Sequence, residues 1–437
     1  MEENNTSRWH LSKYNLFAKI PDKDLIGCVN LLKGSYSLFT FEDISNLQSL
    51  KMDKRFLQNG YIVNYNEVEG LKFVSRKDCG FSNTVSLTIC PTLNCNFRCP
   101  YCFENHRIGK MSEEVQEQIV TFIRRMVETY KTNKISVTWF GGEPLLAPDV
   151  IESLSQKIIE FANEKKIQYN ATIVTNGYLL SQENIDMLYK YKVHSYQITF
   201  DGLEETHDKT RHLAGGQGTF SKIVENLTQN KIIGHISIRH NINEDNKEEE
   251  NIVKKYVENM AKISGNNISY YPAIVTNNEV ALKNAEKVNY LELQEFAYQE
   301  MRKKFSQFST YDCNYCGAQS ITFIVIDELG NLYKCWEDSG KLEHSFGKIN
   351  EWSPWRPIQT ARNPQVLINY INSGGGANDK ECEECIWLPI CKGGCPQRRL
   401  YYTKACVPYK NNPEEFVLNY IDYKEKQKRK QRKCSCC

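Results

Sequence analysis

Three cysteines crowd one short stretch, Cys95-Asn96-Phe97-Arg98-Cys99-Pro100-Tyr101-Cys102. Three thiolates on one loop can hold three irons of a cubane cluster, leaving the fourth iron without a protein ligand. An open metal position is where a substrate or cofactor coordinates. A structural zinc ion asks instead for four closed ligands, and His106 stands close enough in sequence to be the fourth. Spacing alone leaves both chemistries open.

A second constellation lies downstream. Cys316 is followed by Gly330 and Cys335, then by Cys382, Cys385, Cys391, Cys395 and Cys406, with Cys313 just upstream. The 437 residues contain 17 cysteines in all. Residues 1–15 are polar and lack the apolar core of a signal peptide. No apolar run approaches the roughly 20 residues that span a bilayer. A cytoplasmic protein is the expectation, and reduced cytosolic thiols in clusters argue for metal rather than disulfides. Cys28, Cys79 and Cys90 read as small core or surface residues, and Cys434, Cys436 and Cys437 as part of a terminal tail.

The net charge of +2, with 25% charged residues, offers no field for nucleic acid or a membrane surface. Basic residues concentrate only over 424–433, which reads as a solvated, frayed end.

These thiols need a frame to hold them. Residues 1–82 show short alternating runs around a helical stretch near 41–57, the texture of a small α+β module. Over 83–275, strands predicted at 85–90, 135–140, 172–175, 195–200, 236–242 and 268–271 alternate with amphipathic helices. Ser112 is placed to cap one helix, which buries Val115, Ile119, Phe122, Ile123 and Met126. This alternation argues for parallel strands under covering helices. Six units fall short of the eight of a closed barrel, so the expected fold class is α/β with a partial (β/α)6 barrel. A linker or helix at 276–310 leads to a cysteine-rich domain at 311–410, whose thin apolar core calls for metal. A basic tail over 411–437 closes the chain.

The first cysteine loop resembles that of the radical S-adenosylmethionine (SAM) superfamily, whose signature is Cys-x3-Cys-x2-Cys with an aromatic before the last cysteine, here Tyr101. The resemblance extends to Gly141-Gly142-Glu143-Pro144 after the second strand, a motif that contacts the methionine amino group of SAM in that family. Glycines allow close backbone approach, and Glu143 can accept hydrogen bonds from an ammonium. Thr175 and Asn176, Thr199 and Asp201, and Arg239 and Asn241 fall at later strand ends and look like the family's positions near the ribose and the methionine carboxylate. The resemblance implies that the open iron binds SAM. An electron from the reduced cluster then releases methionine and a 5′-deoxyadenosyl radical, which abstracts hydrogen from the substrate.

The later cysteines resemble the SPASM extension of radical enzymes, which holds two auxiliary 4Fe–4S clusters. By that pattern Cys316, Cys335 and Cys395, with Cys313 as the candidate fourth ligand, would bind the first. Cys382, Cys385, Cys391 and Cys406 would bind the second. SPASM enzymes mostly modify peptides or proteins. Sulfatase-maturating members, which make formylglycine, carry an Asp directly after the cysteine matching Cys335; Trp336 stands there, with Glu337 next. Loss of that carboxylate weighs against their proton transfer. Peptide maturases that install thioether crosslinks fit better, because they commonly carry an N-terminal winged-helix-like module that grips the precursor's leader segment by strand addition. Residues 1–82 have the right size for it. The implied partners are a leader-bearing precursor peptide and a flavodoxin- or ferredoxin-like electron donor. A non-enzymatic zinc scaffold that presents peptides is the reading from another class. Three cubanes amount to about 12 irons per chain. Anaerobically purified protein is expected to be brown, to carry that iron, and to release 5′-deoxyadenosine on reduction; zinc without cleavage would sink the radical reading.

Overall fold

The computed structural model describes residues 9–80, 82–243, 245–274, 315–373, 379–402, 404 and 406–434. They fall into two compact units. The first gathers residues of 1–79, 294–316 and 372–437, and the second those of 80–293 and 317–371.

The first unit opens on an antiparallel meander of β2 (Asn15–Lys19), β3 (Ile26–Asn30) and β4 (Ser35–Phe39), while β1 (His10–Leu11) pairs with β5 (Ile62–Val63). Alternation along β2 buries Leu16 and Ala18 and exposes Phe17. Helix α1 (Phe41–Gln48) starts at a capping box, in which Thr40 and Asp43 satisfy each other's backbone N–H groups. Helices α2 (Lys54–Gln58) and α3 (Glu67–Gly80) follow. Phe39 and Cys28 pack with Phe56, Tyr61 and Ile62 in one core. Tyr14, Leu16, Ala18, Val29 and Leu31 form another with Trp387, Leu388, Tyr409 and the helix Pro413–Cys434.

That helix includes 424–433, so the run read as a solvated, frayed end continues a helix whose first turns are anchored. Phe416, Val417, Tyr420 and Ile421 are buried at helical spacing, and Tyr36 donates to Glu425 at 2.5 Å. The run of charges further along is what marks the segment in the sequence, and the four apolar anchors precede it.

In the second unit, parallel strands β6 (Thr84–Ile89), β7 (Lys134–Trp139), β8 (Gln168–Thr175), β9 (Val193–Phe200), β10 (His235–Ile242) and β11 (Ile268–Ile274) pair in chain order. Between them run α4 (Glu113–Tyr130), α5 (Pro148–Glu164), α6 (Gln182–Lys190), α7 (Glu204–Thr210), α8 (Phe220–Gln229) and α9 (Glu250–Ser264). Ser112 caps α4 by accepting from the Val115 N–H at 3.3 Å, and Ile119, Phe122, Ile123 and Met126 are buried. The six expected strands form, as one open sheet.

A seventh parallel strand comes from the region read as the cysteine-rich domain. β12 (Phe323–Ile326) pairs with β6, then β13 (Asn331–Tyr333) and β14 (Gly347–Lys348) continue antiparallel. Four apolar residues between polar neighbours are too few for periodicity to single out. Among the described residues no helix is long and apolar enough to cross a membrane.

Phe416 is buried in the core that the N-terminal meander shares with the C-terminal segment, with its ring 5.0 Å from Trp387 and 5.3 Å from Tyr409. Phe416→Ala is expected to cost about 3–5 kcal/mol, read as a lowered denaturation midpoint of that unit. A midpoint equal to that of the parent protein would refute this account of the core.

Candidate active site

The parallel strands all end at one edge of the sheet, where open α/β sheets bind ligands. The cysteine loop leaves that edge after β6, and its three thiols are half-buried and unbridged. The turn after β7 is pressed against it. Gly142 donates its N–H to the Thr92 carbonyl at 3.3 Å, and Glu143 donates to that of Asn94 at 2.8 Å. Gly141 has φ 111°, and a Cβ there would lie 2.3 Å from the Thr92 oxygen. One on Gly142 would lie 2.3 Å from the Asn94 oxygen. The close approach these glycines permit is therefore to the thiol loop's own backbone. Pro144 opens the short turn Pro144–Leu146.

Glu143 is fully buried, and its carboxylate accepts from Leu145 N–H at 3.0 Å, Thr175 Oγ1 at 2.7 Å and Asn176 N–H at 2.7 Å. Burial pushes its carboxyl up, and these three donors oppose the shift. A carboxylate has about four acceptor positions, so one remains for a cationic ligand. Asn176 reaches back to Asn96 Oδ1 at 2.8 Å and lies 4.0 Å from Cys95 Sγ.

A second network ties the loop to later strands. Tyr101 donates to Asp201 at 2.5 Å, Asn241 donates to the other Asp201 oxygen at 3.1 Å, and Arg239 donates to Asn241 at 3.0 Å. Thr199 lies beside Arg239 in the β9–β10 register.

Arg211, which the sequence reading missed, joins this network by donating to Tyr101 at 2.9 Å. It is buried, with an Nε that has no partner among the described residues. Burial works against its charge, yet Tyr101, Cys99 and Asp201 hold it firmly protonated. Arg211 stands just beyond α7, away from any strand end, so strand-end reasoning does not find it. Glu104 was also missed. It is buried, neither of its oxygens has a partner among the described residues, and burial raises its carboxyl to about 8 against the pull of Lys341.

The donor set fits an iron–sulfur cluster. Burial raises the Cys95 thiol to about 12 and that of Cys102 to about 11, and it raises Cys99 as well. Bound metal reverses that preference by deprotonating its thiols. The Phe97 N–H already points at Cys95 Sγ, 3.4 Å away. His106, the candidate zinc ligand, lies with Nε2 3.6 Å from Cys102 Sγ. Among the described residues no three His, Cys, Asp or Glu side chains converge on a single metal-ion position.

In the first unit, Cys382, Cys385, Cys391 and Cys406 line one pocket together with Trp387, Leu388 and the cations Arg399, Lys404 and Lys410. Four thiols around one space fit a fully ligated cluster. Cys316 and Cys395 belong to the first unit and Cys335 to the second, while Cys313 lies outside the described residues. Cys28, Cys79 and Cys90 are buried. Cys436 and Cys437 lie outside the described residues.

Residues 89–256 match the Radical SAM superfamily model. The cysteine-type anaerobic sulfatase-maturating enzyme of Clostridium novyi (strain NT) is 25% identical over 78% of this chain and 95% of its own length. The radical SAM cyclopropyl synthase TigE of Paramaledivibacter caminithermalis is 24% identical over 47% of each chain. The solved structure of native anSMEcpe with bound AdoMet and Cp18Cys peptide shares the fold. It has a TM-score of 0.57 and 21% identity, and the match covers 78% of this chain and 97% of that one.

The seating of the glycine turn on the thiol loop is open to a direct test. A methyl at Gly142 would meet the Asn94 carbonyl, so Gly142→Ala is expected to displace the loop and lower bound iron by about four per chain. Unchanged iron content would refute that coupling. The cysteine loop, the glycine turn and the ends of β6 to β10 all lie within or at the border of the matched segment, so residues 89–256 form a radical SAM domain.

Proposed function

We propose that this enzyme acts on a cysteine-bearing precursor peptide and closes a thioether crosslink in it. The observation that carries this reading is Trp336. Its ring lies 5.0 Å from that of Phe140, in a cluster with Cys90, Leu93 and Phe103. An aromatic wall stands where a formylglycine-forming enzyme of this kind is expected to keep a proton-accepting carboxylate. The carboxylate two residues on does not replace it, because Asp338 is fully buried and accepts from Tyr370 and His344.

Bound in the site, SAM and its cluster would supply a 5′-deoxyadenosyl radical able to remove a hydrogen atom from the peptide. Cys95, Cys99 and Cys102 would hold the cluster. Glu143 would receive the cofactor's ammonium, and Tyr101, Asp201, Asn241, Arg239 and Arg211 would keep loop and strand ends in register around it. Phe140, Phe103 and Trp336 would exclude water. Closing the thioether removes two hydrogens. One leaves as the abstracted atom, and the other leaves as the thiol proton with an electron passed to an auxiliary cluster.

In this proposal residues 1–82 grip the leader, residues 83–275 generate the radical, and residues 311–410 hold the auxiliary clusters. Cys313, Cys316, Cys335 and Cys395 serve the first of these clusters. A flavodoxin- or ferredoxin-like protein supplies the reducing electron in the cytoplasm.

A second reading is favoured by the relatives. Two-thirds or more of this chain aligns with several enzymes named as cysteine-type anaerobic sulfatase-maturating. Both readings begin on a peptide cysteine, and Glu104, buried without a partner among the described residues, and Glu337, next to Trp336, are carboxyls the second could use. Mass spectrometry of the peptide encoded beside this gene, after coexpression, separates them. A loss of two hydrogens per site, with the modified cysteine no longer alkylated, supports the crosslink. A carbonyl in place of the thiol establishes formylglycine instead.

A further inference from the structure

Around the second cysteine pocket the cations are not spread as solvated surface charge. Arg399 donates from Nη2 to Cys382 Sγ at 3.0 Å. Three more of its five N–H groups are engaged: Nη1 donates to Asp379 at 2.8 Å, and Nε and Nη2 donate to the Gly393 carbonyl at 3.0 and 2.8 Å. Its side chain is only 13% exposed. A guanidinium held at three points has little freedom to leave the sulfur. Lys410 Nζ lies 3.7 Å from Cys406 Sγ and 3.3 Å from Glu381 Oε1. Lys404 bridges Asp379 and Glu381 at 2.7 and 2.6 Å, so the two anions that hold Arg399 and Lys410 are themselves tied together.

The backbone is shaped for this arrangement. Lys392, Gly393 and Gly394 all take positive φ, at 51°, 87° and 74°, which turns the Gly393 carbonyl toward Arg399. Two of the four sulfurs in the pocket thus have a cationic donor of their own.

We infer that Arg399 and Lys410 are positioning residues that raise the reduction potential of the cluster held by Cys382, Cys385, Cys391 and Cys406. The inference rests on the reading of that pocket as a cluster site. Hydrogen bonds to cluster sulfurs and nearby positive charge stabilise the more negative, reduced state, and they are among the levers that set iron–sulfur potentials. The pocket is thereby set to take up an electron rather than to supply one.

The test uses the full-length, cluster-loaded protein. Cys382→Ala with Cys385→Ala identifies the relevant signal as the reduced-state EPR component that disappears, together with about four irons per chain. If that pair leaves iron and spectra unchanged, the pocket holds no cluster and the reading beneath the inference fails. Arg399→Gln and Lys410→Met are then titrated at controlled potential.

The expected result is full iron content with at least a tenfold lower reduced-to-oxidised ratio for that component in Arg399→Gln. For one electron this corresponds to about 59 mV. A smaller fall in the same direction is expected in Lys410→Met, and partial recovery in Arg399→Lys. Full iron content with a ratio within twofold of the parent in both variants overturns the inference. Loss of the four irons in both variants also overturns it, because the two residues would then hold the segment together rather than tune it.

Discussion

The arrangement depends on the backbone of the thiol loop being pressed against the turn after β7. Two hydrogen bonds, from Gly142 to Thr92 and from Glu143 to Asn94, join segments that are separate in the chain, and no side chain larger than hydrogen fits at Gly141 or Gly142. Glu143 then carries the constraint onward, since its buried carboxylate is held by donors at the end of β8. A flexible loop bearing three cysteines thus becomes part of a rigid sheet edge. Rigid placement matters because a radical generated out of register would meet the wrong hydrogen.

Buried thiols create an electrostatic problem that both cysteine sites answer with a guanidinium. Arg211 stands beside Cys99 in the second unit, and Arg399 donates to Cys382 in the first. Each is held by a different partner set, Tyr101 in one case and Asp379 with Gly393 in the other. Arg suits this role better than Lys because its fork can bond a sulfur and an anchor at once and keeps its charge when buried.

The first unit shows how the two ends of the chain support one another. Trp387 and Leu388, which lie between Cys385 and Cys391, share a core with Tyr14, Leu16 and Leu31 of the N-terminal meander, and the terminal helix closes that core with Phe416 and Tyr420. Lys13 donates to the Glu383 carbonyl at 2.6 Å, and Lys72 pairs with Glu383 at 3.0 Å. The short helices around Cys382 and Cys391 contain too few residues to fold alone, so they draw stability from this core and from bound metal. The N-terminal module and the cysteine segment are consequently one folding problem, although residues 80–293 and 317–371 of the other unit come between them in the sequence.

Local patterns were enough to read the parallel strands, the Ser112 cap, the cysteine loop and its Gly-Gly-Glu-Pro turn, because each writes its geometry into neighbouring residue types. Periodicity marks a strand, and three cysteines within eight residues mark a metal loop. Other features had no such local record. β12 is four residues of ordinary apolar sequence that become a strand only because β6 offers an open edge. Phe416 and Tyr420 are buried only because the meander presents a face to them. Arg211 and Glu104 were illegible for the same reason, since a charged residue in a loop looks solvated until the fold removes its water. The chemistry of the thiols was decided in the sequence by residue type and spacing. Which cations and carboxylates surround them was decided by long-range packing, because burial and proximity are properties of the folded chain alone.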